Sequence, residues 1–332
     1  MSQALAEART VTEPEIAAVV LAVDPVADDV VLLTLGARDG SELPAWTPGA
    51  HIDLVLAEGS PGGAEGTELV RQYSLCGNPA DRTRYQVAVL RAADSRGGSV
   101  AAHELTPGSE LIVRGPRNHF ALKQSLRYVF IAGGIGITPI IPMIAQAEAA
   151  GADWTLHYGG RTAGSMAFRD TLTAYGDRVR LVPQDEHGLL DLDAILGTPA
   201  AGTLVYCCGP EPLLKAVEEH CAKWPVGSLH LERFDALDID TSGDTAFELV
   251  LERSGKTLTV GADETVLEVM RAAGVHVLSS CQEGTCGTCE QTVLEGEIDH
   301  RDAVLDDEEK AEGECMMVCV SRCKGPRLVL DA

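Results

Sequence analysis

The chain has 332 residues, a length that suggests two to three domains, and a formal net charge of −24. This acidity argues against nucleic acid and against anionic membrane surfaces as partners. The first ten residues show no basic segment followed by an apolar one, and ten cysteines without such a signal favour a reducing cytoplasm, where thiols serve metal binding or catalysis.

The first third of the chain alternates short apolar runs with Gly, Pro and Asp, and this spacing predicts six strands of an antiparallel barrel. The runs are Ile16–Val23, Val30–Leu35, His51–Leu56, Leu69–Leu75, Tyr85–Leu90 and Leu111–Val113. The Gly- and Glu-rich stretch Glu58–Glu68 is predicted to be a hairpin excursion without a core of its own.

The pattern changes at Tyr128, where strands begin to alternate with helices. The apolar runs are Tyr128–Ala132, Trp154–Tyr158, Val179–Val182 and Thr203–Tyr206, and the helical stretches are Pro139–Ala150, Met166–Tyr175 and Glu211–Lys223. This alternation predicts a parallel sheet with ligands at the carboxyl ends of its strands. Glycines and prolines interrupt the uncharged run Tyr128–Ala147, so no membrane span is predicted there.

A linker rich in Asp, Ser and Gly follows at Asp235–Asp244. Beyond it the sequence predicts a hairpin over Phe247–Val260, a helix over Thr265–Ala273 and a cysteine-rich loop. We therefore expect a barrel domain over residues 1–124, an α/β domain over 125–234, a linker over 235–244 and a C-terminal domain over 245–332.

The C-terminal cysteines have an informative spacing. Cys281, Cys286 and Cys289 form C-x₄-C-x₂-C, and Cys319 follows at a distance. Plant-type ferredoxins hold a 2Fe-2S cluster with this spacing. Structural zinc is the less favoured alternative because its ligands usually form two short knuckles, and a disulfide framework is less favoured still.

Two segments suit a flavin. Arg71-Gln72-Tyr73-Ser74 offers an aromatic ring for the flavin ring, hydrogen-bond donors, and a cation for the phosphate. Ser95–Ser99, which contains Arg96, Gly97 and Gly98, is typical of a nest of backbone amides that binds an anion. An edge-strand tyrosine beside an exposed arginine is the alternative for the first segment.

Two glycine turns suit a dinucleotide. Gly133-Gly134-Ile135-Gly136-Ile137-Thr138-Pro139 follows one predicted strand and opens a helix, and Cys208-Gly209-Pro210 occupies the same place after another strand. The first turn departs from the strict G-x-G-x-x-G fingerprint. Because both turns follow carboxyl ends of strands, we expect them to frame one crevice.

In chain order these motifs, together with Gly115–Phe120, resemble the phthalate dioxygenase reductase family, which includes the vanillate demethylase reductases and belongs to the ferredoxin-NADP reductase superfamily. The resemblance covers nearly the whole chain from about residue 15. It implies a flavin-binding, six-stranded antiparallel β-barrel, an α/β nucleotide domain with a parallel sheet, and a C-terminal α+β plant-type ferredoxin of the β-grasp type.

The resemblance also implies FMN rather than FAD, and a nicotinamide nucleotide. The residues that it assigns to FMN are Arg71, Gln72, Tyr73, Ser74, Gly97, Gly98, Ser99 and Asn118. Those that it assigns to the nucleotide are Gly133, Gly134, Gly136, Thr138, Pro139, Arg161, Gly209 and Pro210. Arg161 suits an adenosine phosphate, whereas the family mostly uses NADH, so we expect NADH and leave NADPH open.

Three residues are expected at the reacting rings, and four at the metal. Cys208 and Thr138 should frame the transfer, and Phe234 resembles the aromatic residue of the family that packs against the flavin, with ordinary interdomain packing as its alternative. The cluster ligands are Cys281, Cys286, Cys289 and Cys319. Cys315 and Cys323, which flank Cys319, are expected to be bystanders.

A nicotinamide delivers two electrons together and an iron–sulfur cluster accepts one, so a flavin is needed between them. The sequence thus predicts an NAD(P)H-dependent oxidoreductase, the reductase component of a multicomponent oxygenase or demethylase of the Rieske non-haem iron type. The oxygenase component is the expected protein partner. A reductase for a cytochrome P450 or another ferredoxin acceptor, and a redox-sensing flavin/iron–sulfur protein, remain as alternatives.

The charge of the C-terminal domain bears on how this domain would bind its protein partner. From Thr245 onward the chain has 18 Asp or Glu and 8 Lys or Arg, a net charge of −10. An acidic face around a redox centre is predicted to steer a basic protein partner. A merely solubilising acidic surface is the alternative.

Overall fold

A computed structural model describes residues 14–56, 69–93, 95 and 97–332, with the Asp307 side chain excepted. The predicted excursion Glu58–Glu68, the first 13 residues and Arg96 lie outside the described residues. Within the described ranges, no helix has both the length and the apolar character needed to cross a bilayer.

The N-terminal part forms the predicted six strands and one short helix. They are β1 (Glu15–Ala27), β2 (Val30–Ala37), β3 (His51–Leu56), β4 (Leu69–Ser74), β5 (Tyr85–Leu90), α1 (Gly98–His103) and β6 (Glu110–Arg117). The strands pair antiparallel in the order β4-β3-β6-β1-β2-β5, and a bridge between Leu75 and Val87 brings the two ends of this curled sheet together. Alternate residues such as Leu33, Ile52 and Leu54 fill the interior.

The middle part is the predicted parallel sheet with helices. Its elements are β7 (Arg127–Gly133), α2 (Ile137–Ala149), β8 (Asp153–Gly160), α3 (Arg169–Thr173), β9 (Val179–Pro183), α4 (Gln184–His187), α5 (Leu192–Leu196), β10 (Thr203–Cys208), α6 (Glu211–Cys221) and β11 (Leu229–Glu232). The order is β11-β10-β7-β8-β9, all parallel. The edge strand β11 was not among the predicted strands.

The C-terminal part combines a mixed five-stranded sheet with a two-stranded ribbon. Its elements are β12 (Phe247–Leu251), β13 (Lys256–Val260), α7 (Val266–Ala272), β14 (Glu290–Glu295), β15 (Ile298–Asp299), α8 (Asp307–Glu312), β16 (Cys315–Met317), β17 (Arg322–Cys323) and β18 (Arg327–Leu330). The sheet order is β13-β12-β18-β14-β16, and β15 pairs with β17. A capping box of Thr265 and Glu268 starts α7, whose apolar face packs into the core of this part.

The barrel and the parallel sheet share apolar packing. Val30, Cys76 and Ala88 of the barrel form one buried cluster with Ala167, which precedes α3. The backbone N–H of Asp28 also donates to the carbonyl of Gly164 at 2.9 Å. These contacts place the end of β4 beside the carboxyl ends of the parallel strands.

Candidate active site and cluster site

The predicted flavin segment lies at the end of β4, against the turn that opens α1. A Cβ atom at Gly98 would lie 2.4 Å from Cγ of Arg71, so the arginine crosses the start of α1 where only glycine leaves room. A guanidinium beside the first backbone N–H groups of a helix suits a phosphate. Arg71, Gly97 and Gly98 therefore fit the phosphate end of FMN.

Ser99 and Tyr73 shape the same region. The Ser99 hydroxyl accepts from the backbone N–H of Ala92 at 3.1 Å and donates to Ser95 Oγ at 2.9 Å, which holds the turn before α1 together. Burial raises the pKa of Tyr73 to about 12, so its phenol is neutral at physiological pH. Its ring is half-buried against the barrel core and offers an aromatic surface at the sheet end.

The two glycine turns lie in contact with each other. A Cβ atom at Gly136 would lie 2.3 Å from the carbonyl oxygen of Cys208, and one at Gly133 would lie 2.7 Å from Cδ of Pro210. The turns after β7 and β10 are thus packed backbone to backbone. Side chains at these positions would push the turns apart, because close approach of this kind requires glycine.

Ser74, Cys208 and Glu232 meet where the barrel touches the parallel sheet. Cys208 and Glu232 are register partners at the ends of β10 and β11, and the Glu232 carboxyl contacts the Ser74 hydroxyl and the Cys208 thiol. Burial, together with the neighbouring Glu232, raises the pKa of Cys208 well above its ordinary value. Cys208 is therefore a neutral thiol rather than a thiolate nucleophile.

Glu232 is the site residue that sequence reasoning missed. Burial raises its pKa to about 8, so the carboxyl is mostly protonated at neutral pH. Its Oε2 atom is buried and has no hydrogen-bond partner within the described part of the chain. The available signal was its position in His230–Phe234, at the end of an apolar run beside the expected aromatic residue.

We expect Glu232→Gln to flatten the pH dependence of stability. The pKa of Glu232 is raised in the folded state from 4.5 to about 8, so its stabilising contribution is complete below pH 4.5 and is lost as the pH rises through about 8. Glutamine has no proton to lose. Thermal unfolding of the holoprotein from about pH 5 to pH 9 should therefore show a smaller decline in Tm for the variant.

The exposed Glu219 provides the matched control for this comparison. Glu219→Gln should follow the wild-type pH profile. Parallel Tm profiles for Glu232→Gln and the wild type would contradict the raised pKa.

The remaining predicted residues are placed as follows. Phe234 is 41% exposed, so packing between the described parts of the chain does not enclose its ring. Thr138 Oγ1 donates to the Ile135 carbonyl at 2.9 Å, within the glycine turn. Asn118 Nδ2 donates to Thr47 Oγ1 at 2.7 Å. Arg161 is exposed just beyond β8.

The four predicted ligand thiols lie together on the C-terminal domain. The Cys281 thiol contacts those of Cys286 and Cys319, and Cys319 also contacts Cys289. These contacts, with backbone N–H groups that donate to its sulfur, lower the pKa of Cys281 and favour the thiolate that binds metal. The donors are the N–H groups of Glu283, at 3.3 Å, and Thr285, at 3.4 Å.

This donor set fits a two-iron cluster. Among the described residues, no three Cys, His, Asp or Glu side chains are arranged to hold a single metal ion. The four thiols instead lie together as one group, and a 2Fe-2S cluster is held by four cysteine thiolates. Gly284 and Gly287 have positive φ, which lets the loop wrap closely around the thiols. Cys323 lies apart and donates to the Arg327 carbonyl at 3.2 Å.

The cluster loop lies directly against the flavin strand. Arg71 and Gln72 of β4 line one cleft together with Ser280 and Cys281. The imidazole of His51 lies beside the backbone of Cys286, and burial, with the nearby Arg117, lowers the pKa of His51 to about 3. A neutral imidazole therefore faces the loop.

Comparison with known proteins agrees with this geometry. Residues 249–324 match the family described as the 2Fe-2S iron-sulfur cluster binding domain, and this range includes all four predicted ligand cysteines. The chain is 44% identical to "Phenoxybenzoate dioxygenase subunit beta" of Ectopseudomonas oleovorans over 308 residues, 92% of this chain and 93% of the relative.

Two solved structures are also similar. Phthalate dioxygenase reductase, described as a modular structure for electron transfer from pyridine nucleotides to [2Fe-2S], is 35% identical with a TM-score of 0.67, covering 96% of this chain and 98% of that chain. An intact type IV self-sufficient cytochrome P450 monooxygenase is 48% identical with a TM-score of 0.88. The match covers 96% of this chain and 41% of that one, so the present chain spans about two fifths of the P450 protein.

The fold, the paired glycine turns, the cleft beside β4 and the four neighbouring thiols define a flavin- and iron–sulfur-dependent oxidoreductase of the electron-transfer type. The predicted fold class is confirmed, and the predicted 2Fe-2S site lies within the residues that match the 2Fe-2S iron-sulfur cluster binding domain. The chain belongs to the phthalate dioxygenase reductase family.

Proposed function

We propose that this chain is the reductase component of a multicomponent oxygenase or demethylase of the Rieske non-haem iron type, which passes electrons from NADH through FMN to the 2Fe-2S cluster and on to the oxygenase. Relatives with matching length include a dioxygenase subunit and a dioxygenase reductase. We also propose that it acts in the cytoplasm, and that its domains follow the predicted limits, 1–124, 125–234 and 245–332 with a linker over 235–244.

One observation carries the proposal: strand β4 touches both neighbouring parts of the molecule. Gln72 and Ser74 are two residues apart, so they lie on the same face of the strand. Ser74 contacts Glu232 of the parallel sheet, and Gln72 Nε2 donates to Ser280 Oγ of the cluster loop at 2.7 Å. The flavin strand therefore stands between the nucleotide crevice and the metal site, in the order that the electrons require.

The residues divide this task among them. Arg71, Gly97 and Gly98 would hold the flavin phosphate, and Tyr73 would pack against its ring. The turns over Gly133–Thr138 and Cys208–Pro210 would hold the nucleotide. A bound flavin supplies the conversion of one two-electron transfer into two one-electron transfers. The residues of this chain orient the rings, and the buried thiol of Cys208 and carboxyl of Glu232 exclude water from the contact.

The direct test is anaerobic reduction of the purified holoprotein by NADH, followed by addition of the oxygenase partner. Flavin and cluster absorbance should bleach in turn, and the oxygenase should then be reduced catalytically. Comparing the rates of reduction by NADPH and by NADH in the same assay tests whether the exposed Arg161 binds an adenosine phosphate. A holoprotein that NADH reduces only slowly, without turnover, would contradict the proposal and support a redox sensor.

The similarity to the P450 monooxygenase supports a second acceptor class. The segment of the P450 monooxygenase that matches this chain is 48% identical to it. A cytochrome P450 that is a separate protein is therefore the alternative electron acceptor. A P450 reduced faster than any Rieske oxygenase by the NADH-loaded holoprotein would favour this alternative.

We expect Cys208→Ala to slow flavin reduction more than nucleotide binding. Because the buried thiol contacts Glu232 at the meeting point of the turns, its removal leaves a gap where the reacting rings should be held. Stopped-flow reduction by NADH should slow by about tenfold, with a smaller change in the Kd for NADH. Cys221→Ala, a buried thiol on α6, is the control, and an unchanged rate in Cys208→Ala would reject this role.

A further inference from the structure

The outward face of β3 is buried although it points away from the barrel core. Ile52 and Leu54 lie in the core, so strand alternation directs His51 and Asp53 to the opposite face. Both are nevertheless buried, and Asp53 is 0% exposed. The cluster loop of the C-terminal domain covers this face.

Asp53 binds that loop through a closed set of hydrogen bonds. Its Oδ2 accepts from Ser280 Oγ at 2.6 Å, and its Oδ1 accepts from Gln72 Nε2 at 3.0 Å. Gln72 Nε2 also donates to Ser280 Oγ, which completes a triangle. Ser280 immediately precedes Cys281, the first cluster ligand, and Gln72 lies in the flavin segment.

The charge of Asp53 makes these bonds necessary. Arg117 is its ion-pair partner and the Arg117 side chain is 13% exposed, so both groups are largely removed from water. A buried carboxylate is tolerated only when its charge is paired and its oxygens have donors. Ser280 supplies the donor to Oδ2, so the carboxylate is fully bonded only while the cluster loop is in place.

Two histidines extend the contact along the loop. Arg117 Nε donates to His51 Nε2 at 3.4 Å, and the His51 imidazole lies beside the backbone of Cys286. A Cβ atom at Gly287 would lie 2.2 Å from Nε2 of His119, so the loop approaches the barrel with no space for a side chain. The barrel thus contacts the loop at Ser280 and again at Cys286 and Gly287.

We propose that Asp53 is a positioning residue that clamps the cluster loop to the flavin strand through Ser280, and so fixes the separation across which electrons pass from flavin to cluster. This role rests on the proposed function, since it concerns the same transfer. Asp53 itself donates no electron or proton. It holds Ser280 and Gln72 at one point, and these side chains belong to the two segments that carry the two redox groups.

Ser280→Ala in the holoprotein tests the clamp. Without the hydroxyl, Asp53 Oδ2 loses its donor, and loss of a hydrogen bond to a charged group shifts the docked equilibrium by about 10-fold or more. Backbone amides of residues 278–288 should then exchange hydrogen faster by about that factor. After NADH reduction in a stopped-flow experiment, electron transfer from flavin to cluster should slow by about tenfold, while flavin reduction keeps its wild-type rate.

Ser279→Ala is the matched control. The Ser279 hydroxyl accepts from Arg271 within the C-terminal domain, at 2.6 Å, one residue away from the clamp. Its exchange rates and its flavin-to-cluster rate should equal those of the wild type. Ser280→Thr, which keeps a hydroxyl, should restore at least part of the transfer rate. Asp53→Asn, which keeps the shape but removes the charge, should reproduce the effect of Ser280→Ala on both readouts.

Several outcomes would overturn the clamp. Wild-type exchange and wild-type flavin-to-cluster transfer in Ser280→Ala would do so, as would loss of cluster absorbance in place of slower transfer, because the latter would assign Ser280 to cluster retention. The two proposals fail in distinguishable ways. If NADH does not reduce the wild-type flavin, the proposed function is wrong, whereas normal flavin reduction with an unaffected Ser280→Ala variant rejects only the clamp.

Discussion

Replacing Cys286 with serine is expected to abolish electron delivery through the C-terminal domain and to spare the flavin half of the molecule. The Cys286 thiol contacts that of Cys281, and a serine hydroxyl is a poor ligand for iron in a sulfide cluster. Reduction of a one-electron protein acceptor by NADH should fall by about 100-fold or more. Reduction of ferricyanide, which can draw electrons from the flavin, should remain close to the wild-type rate.

The measurement pairs these two assays with iron and acid-labile sulfide content. Cys315→Ser is the control, because Cys315 lies near the ligand Cys319 in sequence but is predicted to be a bystander, so its metal content should be normal. If Cys286→Ser loses ferricyanide activity together with the cluster, the flavin and the metal site do not act as separable modules. Zinc without acid-labile sulfide in the wild type would reject the cluster altogether.

Arg71→Ala is expected to release FMN. The guanidinium lies across the start of α1, where Gly98 leaves room for it, and alanine would remove the cation that the segment Arg71–Ser74 contributes. Charge-assisted hydrogen bonds to a phosphate are among the stronger ones in proteins, so FMN affinity should fall by about 10-fold to 100-fold. Fluorescence of FMN in the filtrate of the concentrated variant measures this directly.

Arg38→Ala controls for a loss of positive charge on the barrel. Arg38 pairs with Glu110 on the exposed surface, at 3.0 Å, and lies outside both predicted flavin segments. It should retain FMN as the wild type does. Full flavin occupancy in Arg71→Ala would contradict the assignment of the phosphate site, and would point to the backbone turn at Gly97 and Gly98 as sufficient.

Local pattern predicted most of the fold because each element shows its period in its own sequence. The six barrel strands appear where the apolar runs end in Gly, Pro or Asp, and α2 and α6 begin within two residues of the predicted positions. The predicted helix over Met166–Tyr175 is shorter, since α3 begins only at Arg169. Phe168 adopts a left-handed conformation with φ of 61°, which prevents an earlier start and which no local propensity indicates.

The site was predicted where glycine and cysteine spacing defines it, and was missed where tertiary contacts define it. The short edge strand β11 has only four residues, so its pattern did not identify a strand, and Glu232 at its end was overlooked. Asp53 and Ser280 are 227 residues apart in sequence, and nothing local relates them. His51 belongs to a predicted barrel strand, and nothing local indicates that the fold places it beside the cluster ligand Cys286.

The barrel contacts the parallel-sheet domain and the C-terminal domain through interfaces of different polarity. The barrel and the parallel sheet share one cluster of buried apolar side chains. Within the described residues, the buried apolar cluster of the C-terminal domain contains only side chains of that domain. Its seam with the barrel is built from hydroxyl, amide, imidazole and carboxylate groups. When such polar groups separate, water can take the place of their hydrogen-bond partners, whereas separation of an apolar interface exposes hydrophobic surface to water. We therefore expect the C-terminal domain to separate from the barrel more readily than the barrel separates from the parallel sheet, with both parts remaining folded.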